Sequence, residues 1–203
     1  MYHGIVKKER LDTILTKTGC YFDGLTPDIY IAGALTYVCD KIVELNQSLT
    51  ISGVCPKSGS ADSDTGRHTG NLEDAPHFKG HECYKWFKEV PYVYSIETIW
   101  AETFLHVLHN FGDEKKIPSI NICLLDGICY YKYPQLRNQI LKHAKLYKIS
   151  KFKMLFEYSR YFSLHKLYKL KSRLLRTLRI SNGVVLKFNI PDITEAYKEI
   201  SKL

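Results

Sequence analysis

The chain lacks any run approaching the ~20 consecutive apolar residues that a bilayer-spanning helix needs. Met1 is followed by the polar run Tyr-His-Gly-Ile-Val-Lys-Lys-Glu-Arg rather than by the apolar core of a secretory signal. No Gly-x-Ser-x-Gly elbow, Walker loop or Gly-x-Gly-x-x-Gly fingerprint occurs, so the chain carries no phosphate cradle of its own. There is no internal repeat. Its cysteines stand at 20, 39, 55, 83, 123 and 129, with no Cys-x-x-Cys pair. The nearest two, Cys123 and Cys129, do not match zinc spacings. Free thiols and no secretory signal predict a reducing, cytoplasmic setting.

What is present is a 203-residue chain of which 45% is hydrophobic, enough for one domain or two small ones with a real core. Tyrosine is abundant, with 15 residues, and its ring-plus-hydroxyl suits polar ligands such as sugars as well as half-buried surfaces. The net charge of +8 is uneven. Residues 1–110 carry 10 Lys/Arg against 14 Asp/Glu, whereas residues 111–203 carry 19 against 7. The second part therefore favours an anionic partner.

Apolar periodicity predicts a helix over 7–18 that stops at Gly19, and a second over 28–45 with Ile31, Leu35, Val38, Ile42 and Leu45 on one face. Residues 48–54 alternate polar and apolar and read as a strand. A long polar loop follows over 55–80, then a helix over 95–111. Residues 117–133 fit neither period cleanly. From 134 onward the chain reads as basic helices. Residues 136–147 and 151–179 together hold twelve Lys/Arg and one acid, Glu157, interleaved with Phe, Tyr and Leu. A strand over 184–190 and a last helix over 193–203 complete the pattern.

Several stretches carry candidate chemistry. Thr26-Pro27-Asp28 is a helix start: Thr26 suits the N-cap, Pro27 the first helical position, and Asp28 falls at the positive end of the helix. Asp28 either complements the helix dipole or serves as a carboxylate base among Tyr21, Phe22 and Tyr30. Asp62-Ser63-Asp64 is an Asp-x-Asp triplet that suits a hard cation when a rigid strand delivers it; in this polar loop a solvated role is expected. His77 and His81 are four apart, but Gly80 and Pro76 argue against a metal-binding helix and for a polar loop that lines a ligand or is structural. The basic helices suit an anionic membrane surface, less well a nucleic acid, or else they pack an apolar face and leave Lys and Arg in water.

Tyr2-His3-Gly4, Leu11, Gly19, Tyr21-Phe22 and Thr26-Pro27-Asp28-Ile29-Tyr30 together resemble the acceptor-side half of family 2 glycosyltransferases of the GT-A fold. Leu49-Thr50-Ile51-Ser52-Gly53, Ser58 and the block from Val90-Pro91 to Ala101 extend the likeness across residues 1–105. The resemblance implies an α/β chain: a partial GT-A-like fold over 1–111, with helices and a few strands, then a basic, mainly helical extension over 112–203. It implies an inverting transfer from a nucleotide-sugar donor to a hydroxyl of a saccharide or lipid-linked acceptor. Asp28 matches the family's general base, although Pro27 replaces the acid that usually precedes it. Tyr30, Ser58, His81 and Trp100 are the expected acceptor-lining residues, and His68 falls where some members add a metal ligand. The divalent cation, Mg or Mn, and the nucleotide contacts are expected to come from an upstream half that has no counterpart before Asp28. The chain alone is then expected to bind nucleotide sugar poorly, and to lie in the cytoplasm or peripherally on the inner face of the membrane. The alternative expectation is a non-catalytic interaction module whose basic tail meets a membrane or a partner.

Overall fold

The computed structural model describes residues 5–43, 69–75, 78, 84–177, 190 and 192–200. Seven α-helices lie among them: α1 (Lys8–Thr18), α2 (Pro27–Val38), α3 (Ile96–Asn110), α4 (Ile122–Lys132), α5 (Arg137–Leu146), α6 (Lys151–Thr177) and α7 (Ile193–Ile200). Short 3-10 turns at Leu72–Asp74, Glu114–Ser119 and Pro134–Leu136 link them.

The expected α/β, GT-A-like architecture is corrected by these coordinates. About 70% of the described chain is helical, and the described residues contain no strand. Their β-structure is limited to one antiparallel bridge between Gly70 and Tyr94. The residues read as strands, 48–54 and 184–190, lie outside the described ones. The ambiguous stretch 117–133 resolves largely into α4, which is buried on more than one side: Cys123 and Gly127 lie on one flank, Leu125 and Cys129 on the other, so its apolar residues show no single helical stripe.

Helix α3 is the shared wall of the molecule. Its start is a capping box, with Ser95 Oγ accepting from the Thr98 amide and Thr98 Oγ1 from the Ser95 amide. Val107 packs with Ile14 of α1 and Tyr30, Ala34, Leu35 and Val38 of α2. Ile99 joins Leu25, Leu72 and Tyr94 in a second cluster. Leu105 and Leu108 enter the largest cluster, with Cys123 and Cys129 of α4, Ile140 and Ala144 of α5, and Met154 of α6. That cluster draws on residues from both sides of position 111.

Helix α2 stops at Val38 rather than running to 45. The Arg10 guanidinium donates to the Val38 carbonyl at 2.8 Å and also holds Asp40 at 2.8 Å. Cys39 is extended, and Asp40 would be unfavourable at the negative end of a longer helix.

Gly127 decides how α6 lies on α4. A Cβ there would meet the Met154 carbonyl oxygen at 2.8 Å, so only glycine admits this close crossing. The turn from α5 into α6 runs through Lys148 in the left-handed region, φ 54°. The Ile149 amide reaches back to the Ala144 carbonyl at 2.9 Å, which closes a Schellman-type stop.

Candidate functional site

The start of α2 is fixed from α3. Thr26 occupies the N-cap position, but its hydroxyl does not close the first turn. It lies 2.9 Å from Thr103 Oγ1, which also accepts from the amides of Leu25 at 3.1 Å and Thr26 at 3.2 Å. Thr103 is fully buried, so these amides find in it the partner that water would otherwise supply. Gly24 makes the approach possible: its φ is +73°, and a Cβ would come 2.8 Å from the Thr103 methyl. Pro27 then opens the helix and Asp28 follows in the first turn, half-buried.

Immediately upstream, Asp23 anchors a polar cluster on the same wall. Asp23 Oδ1 accepts from the Gly24 amide at 2.7 Å. Asp23 Oδ2 accepts from Asn110 Nδ2 at 2.8 Å and lies 3.1 Å from His106 Nδ1. The other imidazole nitrogen, Nε2, lies 2.9 Å from Glu102 Oε1. Glu102 is fully buried, and its second oxygen accepts from the Tyr84 hydroxyl. Asn110 also donates to the Tyr30 hydroxyl at 2.9 Å. Both imidazole nitrogens therefore face carboxylate oxygens, the arrangement of an imidazolium that donates on both sides.

The electrostatics agree with that geometry. Burial alone would lower the His106 pKa, but the bond and charge of Glu102, followed by Asp23, leave it above the usual imidazole value. For Asp23, burial works toward a higher pKa. The Asn110 bond, the Gly24 amide and the His106 charge outweigh it and hold the carboxyl below its ordinary value. Burial, then the Glu102 charge, pushes the Tyr84 phenol strongly upward, so it stays a neutral donor.

A second buried pair lies beneath α4 and α5. His143 Nδ1 is 2.9 Å from Asp126 Oδ1, and Nε2 is 3.0 Å from the Lys88 carbonyl, which only an N–H can satisfy. Burial raises the Asp126 pKa while the His143 contact opposes it. Asp126 Oδ2 is buried without a hydrogen-bond partner.

The residues expected from the sequence are placed unevenly. Asp28 stands at the start of α2 as expected. Tyr30 is fully buried in the α1–α2–α3 core, its hydroxyl held by Asn110 and 3.7 Å from Cys20 Sγ. Trp100 lies on α3, 45% exposed, one turn before Thr103. Ser58, His68 and His81 lie outside the described residues, as do His77, Asp62 and Asp64. The Asp23–His106–Glu102–Tyr84–Asn110 cluster was not read from the sequence. Its one local signal is Glu102, His106 and Asn110 at i, i+4 and i+8, a polar line along an otherwise apolar helix.

Among the described residues, no three His, Cys, Asp or Glu side chains converge as metal ligands. An open cleft of about 380 Å³ is lined by Thr36, Tyr37, Phe104 and Lys116. Thr36 lies eight residues beyond Asp28, about 12 Å along the helix axis, so the cleft is separate from the α2 start.

No family model matches the chain, and searches of the curated proteins and of the solved structures returned no match.

Proposed function

We propose that this chain forms the acceptor side of an inverting glycosyl transfer, with Asp28 as the general base. The observation that carries the reading is the placement of Asp28. It lies in the first turn of a helix whose start is pinned by the three hydrogen bonds to Thr103 and, one loop residue further back, by Asp23. A base must be held within hydrogen-bond reach of the hydroxyl it deprotonates, and a rigid mounting serves that need. The positive helix terminus favours the ionised carboxylate that accepts the proton.

On this reading the acceptor hydroxyl is drawn to Asp28, gives up its proton there, and attacks the anomeric carbon of a nucleotide sugar as the nucleotide leaves. The acceptor is a saccharide or a lipid-linked saccharide. Donor contacts and a divalent cation, where used, belong to residues other than those described here. The reading places the chain in the cytoplasm or at the inner face of the membrane. No described helix is long and apolar enough to cross a bilayer. The described cysteines, at 20, 39, 123 and 129, are free thiols.

The test has two parts. Saturation-transfer NMR with a panel of oligosaccharides is expected to show contact with the wild-type chain, and no contact with any of them sinks the acceptor-side reading. In an enzyme with sugar-transfer activity that contains this chain, Asp28→Asn is expected to lower turnover by about 100-fold or more with acceptor contact retained. Turnover that survives the change removes Asp28 from the base role.

A further inference from the structure

Helix α6 has 27 residues, about 40 Å of helix, and among the described residues only its first turns are packed. Met154 is fully buried against α4, where its carbonyl faces Gly127. Every residue from Ser159 to Lys171 is exposed. At 100° per residue, Phe152, Phe156, Leu167, Leu170 and Leu174 fall within an arc of about 60°. That arc points away from Met154, and all five side chains are between 57% and 79% exposed. Small Ser159 and Ser163 complete the line.

The cations are arranged about this stripe rather than on it. Arg160 and Lys171 flank it on one side, Lys166 and Arg173 on the other. The helix carries eight Lys/Arg and one acid, Glu157, which is held by Arg160 at 2.7 Å and Asn121 at 3.1 Å.

We infer that α6 is a docking surface for an anionic lipid bilayer, lying in the interface plane with the Phe152–Leu174 stripe among the acyl chains. Flanking Lys and Arg reach outward from such a stripe along their aliphatic stems and place their charges at the lipid phosphates. An anionic leaflet supplies the countercharge that this helix lacks in itself. A second copy of the chain does not: pairing two such stripes would press like charges together along the whole seam. A nucleic acid is also disfavoured, because phosphates call for cations at the centre of the contacting face, and here that line is aliphatic and aromatic. The surface is independent of Asp28, so it stands or falls apart from the catalytic reading.

The full chain is tested by co-sedimentation with phosphatidylcholine vesicles, with and without phosphatidylglycerol, at low and high salt. Wild type is expected to pellet with the anionic vesicles at low salt, with binding reduced at least about tenfold on neutral vesicles. Leu167→Gln/Leu170→Gln/Leu174→Gln, which keeps good helix formers on an exposed face, is expected to lose about tenfold or more in binding with circular dichroism unchanged. Lys166→Gln/Lys171→Gln/Arg173→Gln is expected to bring anionic binding down toward the neutral-vesicle level. The proposal is overturned if wild type stays in the supernatant, if the triple Leu variant binds as well as wild type, or if sedimentation equilibrium shows a dimer abolished by that variant. Tighter binding to duplex DNA than to the vesicles overturns it as well.

Discussion

At the scale of single residues, the informative feature is a histidine on α3 whose two ring nitrogens both face carboxylates. His106 faces Asp23 at 3.1 Å and Glu102 at 2.9 Å, and Glu102 has no contact with solvent. The folded pKa of His106 lies above the unfolded value of about 6.5. Its contribution to stability is thus complete below about pH 6.5 and is lost as pH rises through the folded value. Asp23 has the opposite sign. Its folded pKa is depressed, so its contribution is present above about pH 4 and fades as pH falls through that lower value. Thermal unfolding is therefore expected to show greatest stability between about pH 4 and 6.5, with a decline toward pH 8 that His106→Asn flattens. A variant whose melting temperature falls as steeply as wild type over that range would clear His106 as the source. Glu102→Ala removes a fully buried carboxylate, leaves the partly buried imidazole with one carboxylate, and is expected to cost on the order of 3 kcal/mol in urea unfolding. Thr103→Val removes the acceptor of two buried amides while keeping the volume. It should cost about 2 kcal/mol, and a loss below about 0.5 kcal/mol would mean that the amides find other partners.

At the scale of elements, the helix–helix contacts turn on single backbone positions. Gly127→Ala would raise helix propensity by about 1 kcal/mol in isolation. Here the added Cβ meets the Met154 carbonyl, a backbone atom that cannot rotate away. The net effect is expected to be a loss of about 2 kcal/mol, with α6 displaced, whereas Ser159→Ala on the exposed part of α6 should change stability by less than about 0.5 kcal/mol. Lys148 makes the complementary case. It holds the left-handed conformation at the α5 stop, where a side chain carries strain. Lys148→Gly is expected to stabilise the chain by about 1 kcal/mol in chemical unfolding. A loss instead would show that the Lys148 side chain makes a compensating contact.

At the scale of the whole molecule, the largest buried cluster joins the acidic first part of the chain to the basic second part. Val90, Leu105 and Leu108 share a core with Cys129, Ile140 and Met154. Removing residues 112–203 would expose that face of α3, and the remainder is expected to lose cooperative unfolding and near-UV circular dichroism. Ending the chain after Tyr158, by contrast, removes the exposed length of α6 and all that follows it but no residue of that cluster, and near-UV circular dichroism is expected to be kept. The charge asymmetry therefore divides the sequence but not the core, to which both parts contribute.

The sequence by itself determined the local elements with one clear period. The helices at 8–18 and 96–110 and the Gly19 stop follow from side-chain spacing and capping chemistry within a few residues, and Pro27 marked the start of α2, although Thr26 makes no side-chain cap there. The cation-rich character of 151–177 was equally legible, because charge needs no fold to be counted. Tertiary structure alone decided the rest. Residues 122–132 became a helix because burial, not propensity, selects among periods in a mixed apolar stretch. Among the described residues the α/β reading gives way to helices, and the two stretches read as strands lie outside them. The polar cluster joins Asp23 to His106 and Asn110 across more than 80 positions, and a one-dimensional spacing rule cannot carry such a contact. Only packing the loop before α2 against α3 brings the Asp23 carboxylate to the imidazole, and only the fold reveals that the start of the Asp28 helix is held by Thr103.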